Sequence, residues 1–318
     1  MNVLFIADEF EKLNPKSDTS LMILHSLLKL RKLNRIKSFW ATDKHFSWTS
    51  GGLEIGAQEI LKSQAFQIPK ARDLKTYAIK NFDLIFIRKN PPFDRSYVNL
   101  CWLLAPYEKS IKMVNSPSAL LRHHEKMLPL EAQVLGFLKE SDLIPTCVTR
   151  DEEIAKKFIQ KQKGSEFILK PFYGFGGTEI EVISRSELLA KLKVILSHEA
   201  DRMIQPLQKE IYELGDRRVF FFKGKYAGDI VRLPKTGSVV SNLAQGGSAA
   251  FRPLSASEKK VIQKLEKYLK SIKVDFAGAD LIGDKVSEVN VTSPTGFAAY
   301  QNILKKDLTE KFLNSILK

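Results

Sequence analysis

Short apolar runs recur through the first 120 positions, and the stretches between them carry a helical period. VLFIAD (3–8), IKSFWAT (36–42), DLIFIRK (83–89) and KMVN (112–115) read as short strands buried on both faces. Between the first two, KSDTSLMILHSLLKLRKL (16–33) offers N-caps at Ser17, Asp18 and Thr19 and continues as an amphipathic helix. Strands separated by helices predict an α/β sheet with parallel pairing. HFSWTSGGLEIGAQEI (45–60) breaks the alternation at Gly51–Gly52, as a hairpin or a loop.

A second region opens at NSPSALLRHHEKMLPLEAQVL (115–135), where Asn115, Ser116 and Pro117 punctuate and a helical period resumes through His123 and His124. SRSELLAKLKVIL (184–196) predicts another helix. From about Met203 the pattern turns strand-rich, with MIQPL (203–207), RRVFFFKGKYAGDIVRL (217–233) and DFAGADLIGDKVSEVNV (275–291), interrupted by one long helix over 258–272. No internal repeat is visible.

Length and charge narrow the reading. A chain of 318 residues, 44% hydrophobic, calls for two or three packed domains. The formal charge of +14 favours anionic partners: nucleotide, nucleic acid or a carboxylate-rich substrate. Its basic runs, KLRKLNRIK (29–37) and EKKVIQKLEKYLKSIK (258–273), interleave lysine with apolar residues at helical spacing. They read as solvated helix faces, so no specific nucleic-acid partner is expected. Cys101 and Cys147 stand apart with no CxxC, which argues against a disulfide framework or a thiolate metal site and for a reducing compartment. MNVLFIADEF lacks a basic leader, and no apolar stretch reaches membrane-spanning length. A cytoplasmic protein without membrane contact is the expectation.

The candidate chemistry lies in two stretches. In ILKPFYGFGGTEIEVI (168–183), Lys170 ends one strand, three glycines follow, and EIEVI alternates like a second strand. The glycines open no helix and fit neither GxxxxGK[ST] nor GxGxxG. The stretch is therefore a flap over an anion or a plain hairpin turn. As a flap, Gly174, Gly176 and Gly177 would take positive φ and turn successive N–H groups inward, and Lys170 would add charge. In FAGADLIGDKVSEVNVTSPTG (276–296), two strands meet around Gly283–Asp284. Glu288 and Asn290 share a sheet face, and Asp280 lies near the opposite position. Two carboxylates and an amide oxygen suit Mg²⁺; alternatively the acids pair with lysines at the surface. A triphosphate under the flap would need such a metal bridge, so the two stretches support each other. MIQPL would then be an interdomain strand whose backbone reads adenine, with Gln205 and Leu207 lining the pocket. GDRR (215–218) adds Asp216 for a ribose hydroxyl and Arg218 for a phosphate or acyl phosphate. His123 and His124 are read as structural.

With these residues in hand, the chain resembles the ATP-grasp ligases, and among them the bacterial glutathione synthetases. The likeness spans nearly the full length and is strongest in RKNPPFD (88–94), VNSPSALLRHHEK (114–126), FILKPFYGFGG (167–177), GDRRV (215–219), NLAQGG (242–247), FRPLS (251–255) and DLIGDKVSEVNVTSPTG (280–296). The resemblance implies an ATP-grasp fold: an N-terminal α/β substrate domain (1–122), a central lid (123–200) and a C-terminal domain with the metal site (201–318). It implies that Lys126 and Lys170 hold ATP phosphates, that residues 205–207 hold adenine, and that Asp280, Glu288 and Asn290 bind Mg²⁺, with Mn²⁺ a substitute. Arg218 and Arg232 would act at the acyl phosphate, and Asp18, Ser20, Arg88, Asn242, Ser293 and Thr295 would bind substrate. Asp18 and Ser20 could equally cap the helix that follows them.

The implied reaction joins γ-glutamylcysteine to glycine through an acyl phosphate, with ATP as co-substrate and small molecules as partners. A related peptide ligase with another amine acceptor, or a nucleotide-binding protein without catalysis, remains as an alternative. Homo-oligomers are frequent in the family. The chain departs from the family pattern at Val240 and Ser248, which flank NLAQGG where arginines stand, and at Ala298 and Ala299, in place of an Arg-Glu pair. Those positions are where the resemblance implies charges that clamp the acyl phosphate and recognise the acceptor's carboxylate.

Overall fold

The computed structural model describes residues 1–34, 36–174, 179–197 and 202–318. Three sheets follow one another along the chain. In the first, the apolar runs pair in parallel as predicted: Asn2–Ile6 lies between Lys37–Ala41 and Leu84–Ile87, and Lys112–Val114 extends the row. Their side chains are almost all buried because helices cover both faces. The glycine-interrupted stretch resolves as a hairpin. Phe46–Thr49 and Gly52–Lys62 pair antiparallel, and Gly52–Lys62 also joins the sheet through Lys37–Ala41. Asp18 caps the helix Thr19–Asn34 by accepting from the Leu21 N–H at 2.8 Å.

The second sheet is antiparallel, in the order Glu181–Ser184, Glu166–Pro171, Arg202–Pro206, Cys147–Val148. Helices Glu152–Lys161 and Arg185–Ser197 bury Ala155, Ile159, Leu188 and Leu192 against it. Arg202–Pro206, which the sequence reading put at the head of the third segment, pairs inside this sheet. The third sheet is also antiparallel: Ser248–Ala250, Lys225–Leu233, Asp216–Phe222, Phe276–Ile282, Lys285–Asn290. Helix Ala256–Ser271, closed by a Ser255–Glu258 capping box, covers one face. Helices Phe297–Leu304 and Leu308–Leu317 cover the other and pack on Thr19–Asn34. No helix among the described residues is long and apolar enough to cross a membrane.

One expected helix is broken. The run over 115–135 forms Pro117–Arg122 and Leu128–Val134, with a turn between them. The reason lies in Pro129, whose ring in a continuous helix would meet the carbonyl four residues back, that of Glu125. At the start of the second helix the same proline is tolerated. His123 and His124 therefore sit in the turn and not in a helix. His123 is nonetheless structural, buried with Nδ1 3.1 Å from Glu131.

Asn115 joins the first sheet to the third. Its Nδ2 donates to the carbonyls of Phe276 (2.7 Å) and Val291 (2.6 Å), and its Oδ1 accepts from the N–H groups of Asp275 (3.0 Å) and Phe276 (2.8 Å). Asn115→Asp would turn an oxygen toward two carbonyls. A loss of about 2–3 kcal/mol in denaturant-unfolding free energy is expected, since each buried polar group left unpaired costs about 1–3 kcal/mol.

Candidate active site

Strand alternation decides which residues of GDRR meet. Asp216 and Arg218 project from one face of the third sheet and Arg217 from the other. On the first face the register lines up Arg218, Asp280 and Glu288 across three adjacent strands. The bulge after Asp280 leaves that row intact. Arg218 grips Asp280 with two bonds, Nε to Oδ1 at 2.5 Å and Nη2 to Oδ2 at 2.9 Å. Arg232 binds both oxygens of Asp216 at 2.6 Å and reaches Asp280 Oδ2 at 2.9 Å. The Ser241 hydroxyl also donates to Asp216 at 2.6 Å. Burial alone would raise the Asp280 pKa; the two guanidiniums outweigh it and hold the group down to about 2. Asp280 is thus paired, but with arginines inside a cleft and not with a lysine at the surface.

That cleft, of about 290 Å³, lies between the second and third sheets. Lys170, near the end of Glu166–Pro171, reaches across it, its Nζ donating to Ser287 Oγ at 3.1 Å, next to Glu288. Burial lowers the Lys170 pKa, while the charge of Glu288 works the other way. Beyond Lys170 the walls turn apolar, with Ile144, Ile168, Leu207, Ile211 and Ile282. Gln205 borders the same end and donates to Thr146 Oγ1 at 2.8 Å. One cleft therefore offers an apolar end, a lysine and a row of acids and arginines. That is the sequence of surfaces a nucleoside triphosphate needs.

The donor set at the acid end fits a hard cation. Asn290 Oδ1 is buried without a hydrogen-bond donor. Among the described residues Glu288 receives no hydrogen bond on its carboxylate, and both groups line the cleft. Asp280 adds charge, although both its oxygens are already held by arginine. No three His, Cys, Asp or Glu side chains cluster among the described residues. A cation here would therefore complete its shell with ligand and water oxygens, as Mg²⁺ does.

Several expected residues take up other positions. Lys126 lies in the turn after Pro117–Arg122 and does not line the cleft; its Nζ donates to the carbonyls of Phe172 (3.1 Å) and Gly174. It borders a second cavity of about 200 Å³ beside Phe172, Tyr173 and Gly174. There His124 stacks on Phe172 with centroids 4.4 Å apart, and burial pushes its imidazole pKa down to about 4. Gly174 corrects the nest expectation. Its φ is not positive, and its N–H closes a turn on Pro171 O at 3.4 Å. What demands glycine there is space, because a Cβ would fall 2.3 Å from the Pro171 ring. Gly176 and Gly177 lie outside the described residues. Asp216, expected at a ribose hydroxyl, borders the cleft as a carboxylate already occupied by Arg232 and Ser241.

Arg88 gathers the N-terminal candidates. It is 3% exposed, with Nε donating to Ser20 Oγ at 3.0 Å and Nη2 to Pro294 O at 2.9 Å. Its Nη1 is buried with no acceptor. Burial lowers its pKa to about 10, against the opposing charge of Asp18. Burial raises the Asp18 pKa in turn. Ser293 Oγ donates to the Arg88 carbonyl at 3.4 Å. Asn242 borders the main cleft, whereas exposed Thr295 contributes its carbonyl to Arg218 Nη1 at 3.1 Å. Glu125 escaped the sequence reading, although it lines both cavities. Its only signal is an acid set among the basic residues of RHHEK.

Residues 1–121 match the family described as "Prokaryotic glutathione synthetase, N-terminal domain", and residues 134–305 match "Prokaryotic glutathione synthetase, ATP-grasp domain". The chain belongs to the prokaryotic glutathione synthetase family. Among curated relatives, the glutathione synthetase of Prochlorococcus marinus is 29% identical over 100% of this chain and 99% of its own. That of Shewanella oneidensis is 33% identical over 79% of this chain and 77% of its own. Solved structures share the ATP-grasp fold at lower identity. The D-cycloserine synthetase DcsG superposes with a TM-score of 0.65 at 14% identity over 98% of both chains. The macrocyclase MdnC bound with precursor peptide MdnA does so at 0.64 and 13% over 100% of both.

Membership in the glutathione synthetase family makes the protein an ATP-dependent ligase. The four positions where the resemblance implies charged residues fall in different surroundings. Val240 lines the cleft, and Ser248 is exposed on the edge strand Ser248–Ala250. Ala298 is buried and Ala299 packs against the core, both away from the cleft lining.

Proposed function

We propose that the protein condenses γ-glutamylcysteine with glycine in an ATP-driven reaction that releases glutathione, ADP and phosphate. The observation that carries this reading is the Arg218–Asp280–Glu288 row, with the bare Asn290 oxygen beside it, facing Lys170 in a single cleft. A carboxylate is a poor electrophile toward an amine. Phosphorylating it supplies a leaving group, and the charge that builds up on phosphate needs cations arranged beforehand.

In this reading adenine lies in the apolar end beside Ile168, Gln205 and Leu207, and Lys170 binds the phosphates. Lys126 would join it by exchanging its flap carbonyls for phosphate oxygens. Glu288 and Asn290, helped by Asp280, would hold Mg²⁺. When bound, that ion neutralises the phosphate oxygens and draws charge off the bond that breaks. Arg218 and Arg232, locked in place by Asp216 and Asp280, present guanidinium N–H groups to the transferred phosphoryl group. The carboxylate of the dipeptide takes the γ-phosphoryl, giving an acyl phosphate and ADP. The amine then adds to the acyl carbon, phosphate leaves, and the amine proton passes to solvent or phosphate.

Arg88 suits one carboxylate of the dipeptide. Its Nη1 is a buried donor lacking an acceptor, and buried donors of this kind gain most from an anion. Arg88→Ala is expected to raise KM for γ-glutamylcysteine about 10–100-fold, the equivalent of about 1.5–3 kcal/mol for a charged hydrogen bond, with KM for ATP little changed. Steady-state kinetics with each substrate varied in turn would check this. A rise in the ATP constant alone would move Arg88 out of the dipeptide site.

A variant acceptor has one observation in its favour: Val240 presents a methyl-lined wall to the cleft where the resemblance implies a guanidinium. Phosphate release from ATP and γ-glutamylcysteine, screened against glycine and the other amino acids, tests both readings. Release with glycine supports glutathione synthesis. Release only with a different amine changes the acceptor, and release with none contradicts the ligase assignment of these substrates.

A further inference from the structure

We infer that Glu125 is a positioning residue which fixes the strand bearing Glu288 and Asn290, and so sets the affinity of the site for its divalent cation. The inference rests on the reading of Glu288 and Asn290 as the cation's ligands. Lys285–Asn290 is an edge strand of the third sheet, so one row of its backbone N–H groups has no neighbouring strand. Near its start, Leu143 bridges Val286 and the Ile144 N–H donates to the Val286 carbonyl at 3.3 Å. At its end the partner is Glu125.

Glu125 replaces the missing strand with two acceptors. Its backbone carbonyl accepts from the Val289 N–H at 3.3 Å. Its Oε1 accepts from the N–H groups of Val291 (3.2 Å) and Thr292 (3.0 Å), and from the Thr292 hydroxyl. These contacts bracket Asn290 on both sides. The next residue, Lys126, holds the flap through the Phe172 and Gly174 carbonyls. Two consecutive residues of one turn therefore grip the metal strand and the flap. The helix break at Pro129 frees the Glu125 carbonyl for this use. Partners that orient metal ligands from the next layer out typically change affinity 10–100-fold when removed.

The test uses the full chain, saturating AMP-PNP and Mn²⁺, with free Mn²⁺ followed by electron paramagnetic resonance. Glu125→Ala is expected to weaken Mn²⁺ binding about tenfold or more. Glu125→Gln is expected to stay within about threefold of the parent, because an amide oxygen accepts the same three bonds. Thr292→Val, which removes one bond only and is the fallback where Glu125→Ala fails to fold, is expected to weaken Mn²⁺ about two- to fivefold. Folded Glu125→Ala with the parent's affinity would overturn the inference. Loss in Glu125→Gln as large as in Glu125→Ala would overturn it as well, because charge and not hydrogen bonding would then be what matters. An unchanged Thr292→Val would also count against it. Glu288→Gln is the control: if it binds Mn²⁺ like the parent, the ligand assignment fails, independently of Glu125.

Discussion

Glu288→Gln and Asn290→Ala are each expected to lower turnover about 10²–10³-fold, the scale of losing one preorganised electrostatic contact at a transition state. The fold should survive both. Glu288 is half-buried in the cleft wall, and Asn290 Oδ1 has no donor to lose. The Gln substitution keeps shape and removes charge, so it isolates the cation site from packing. In phosphate-release assays the loss should shrink as Mg²⁺ is raised, because the lesion lies in metal affinity. A Glu288→Gln enzyme with parental turnover at ordinary Mg²⁺ would remove Glu288 from the site.

The largest effect on stability is expected at Arg217. It points to the face opposite Arg218 and is 1% exposed. Its Nε donates to Glu258 Oε1 at 2.8 Å and its Nη1 to Asp229, with Nη1 and Nη2 also reaching the carbonyls of Arg252 (2.9 Å) and Pro253 (3.3 Å). Tyr226 donates to Asp229, and Glu258 also closes the capping box of Ala256–Ser271. Arg217→Ala would leave buried Asp229 without its cation, while Glu258 would keep Arg252 at 2.8 Å; a buried charge left uncompensated costs about 3–5 kcal/mol. Urea unfolding should register it. Arg218→Ala, one residue along, should instead cost activity more than stability, because Arg232 still pairs with Asp280. Equal stability losses in the two variants would contradict the division between the faces.

What was legible in the sequence is what depends on neighbours in the chain. VLFIAD and DLIFIRK announce buried parallel strands by composition alone, and the turn at Gly283–Asp284 sets the register that brings Asp280 opposite Glu288. Alternation in GDRR separates the cleft-facing residues from Arg217. Contacts between distant segments were not legible. Nothing local says that Arg218 and Arg232 converge on Asp280, that Lys126 turns to the flap carbonyls, or that Arg202–Pro206 pairs with Glu166–Pro171. Asp18 shows the limit at a single residue. Its N-cap role follows from local sequence, while the charge it presents to Arg88 depends on how two strands of the first sheet lie together.

In the proposed mechanism Lys170 and the acid strand meet on one metal-bridged triphosphate. Calorimetric titration of AMP-PNP into the intact chain, once with Mg²⁺ and once with EDTA, tests it most directly. Binding at least about tenfold tighter with Mg²⁺ is expected, with that advantage lost in Glu288→Gln and overall affinity reduced in Lys170→Ala. Equal affinity with and without Mg²⁺, or a Mg²⁺ advantage that survives in Glu288→Gln, would contradict it.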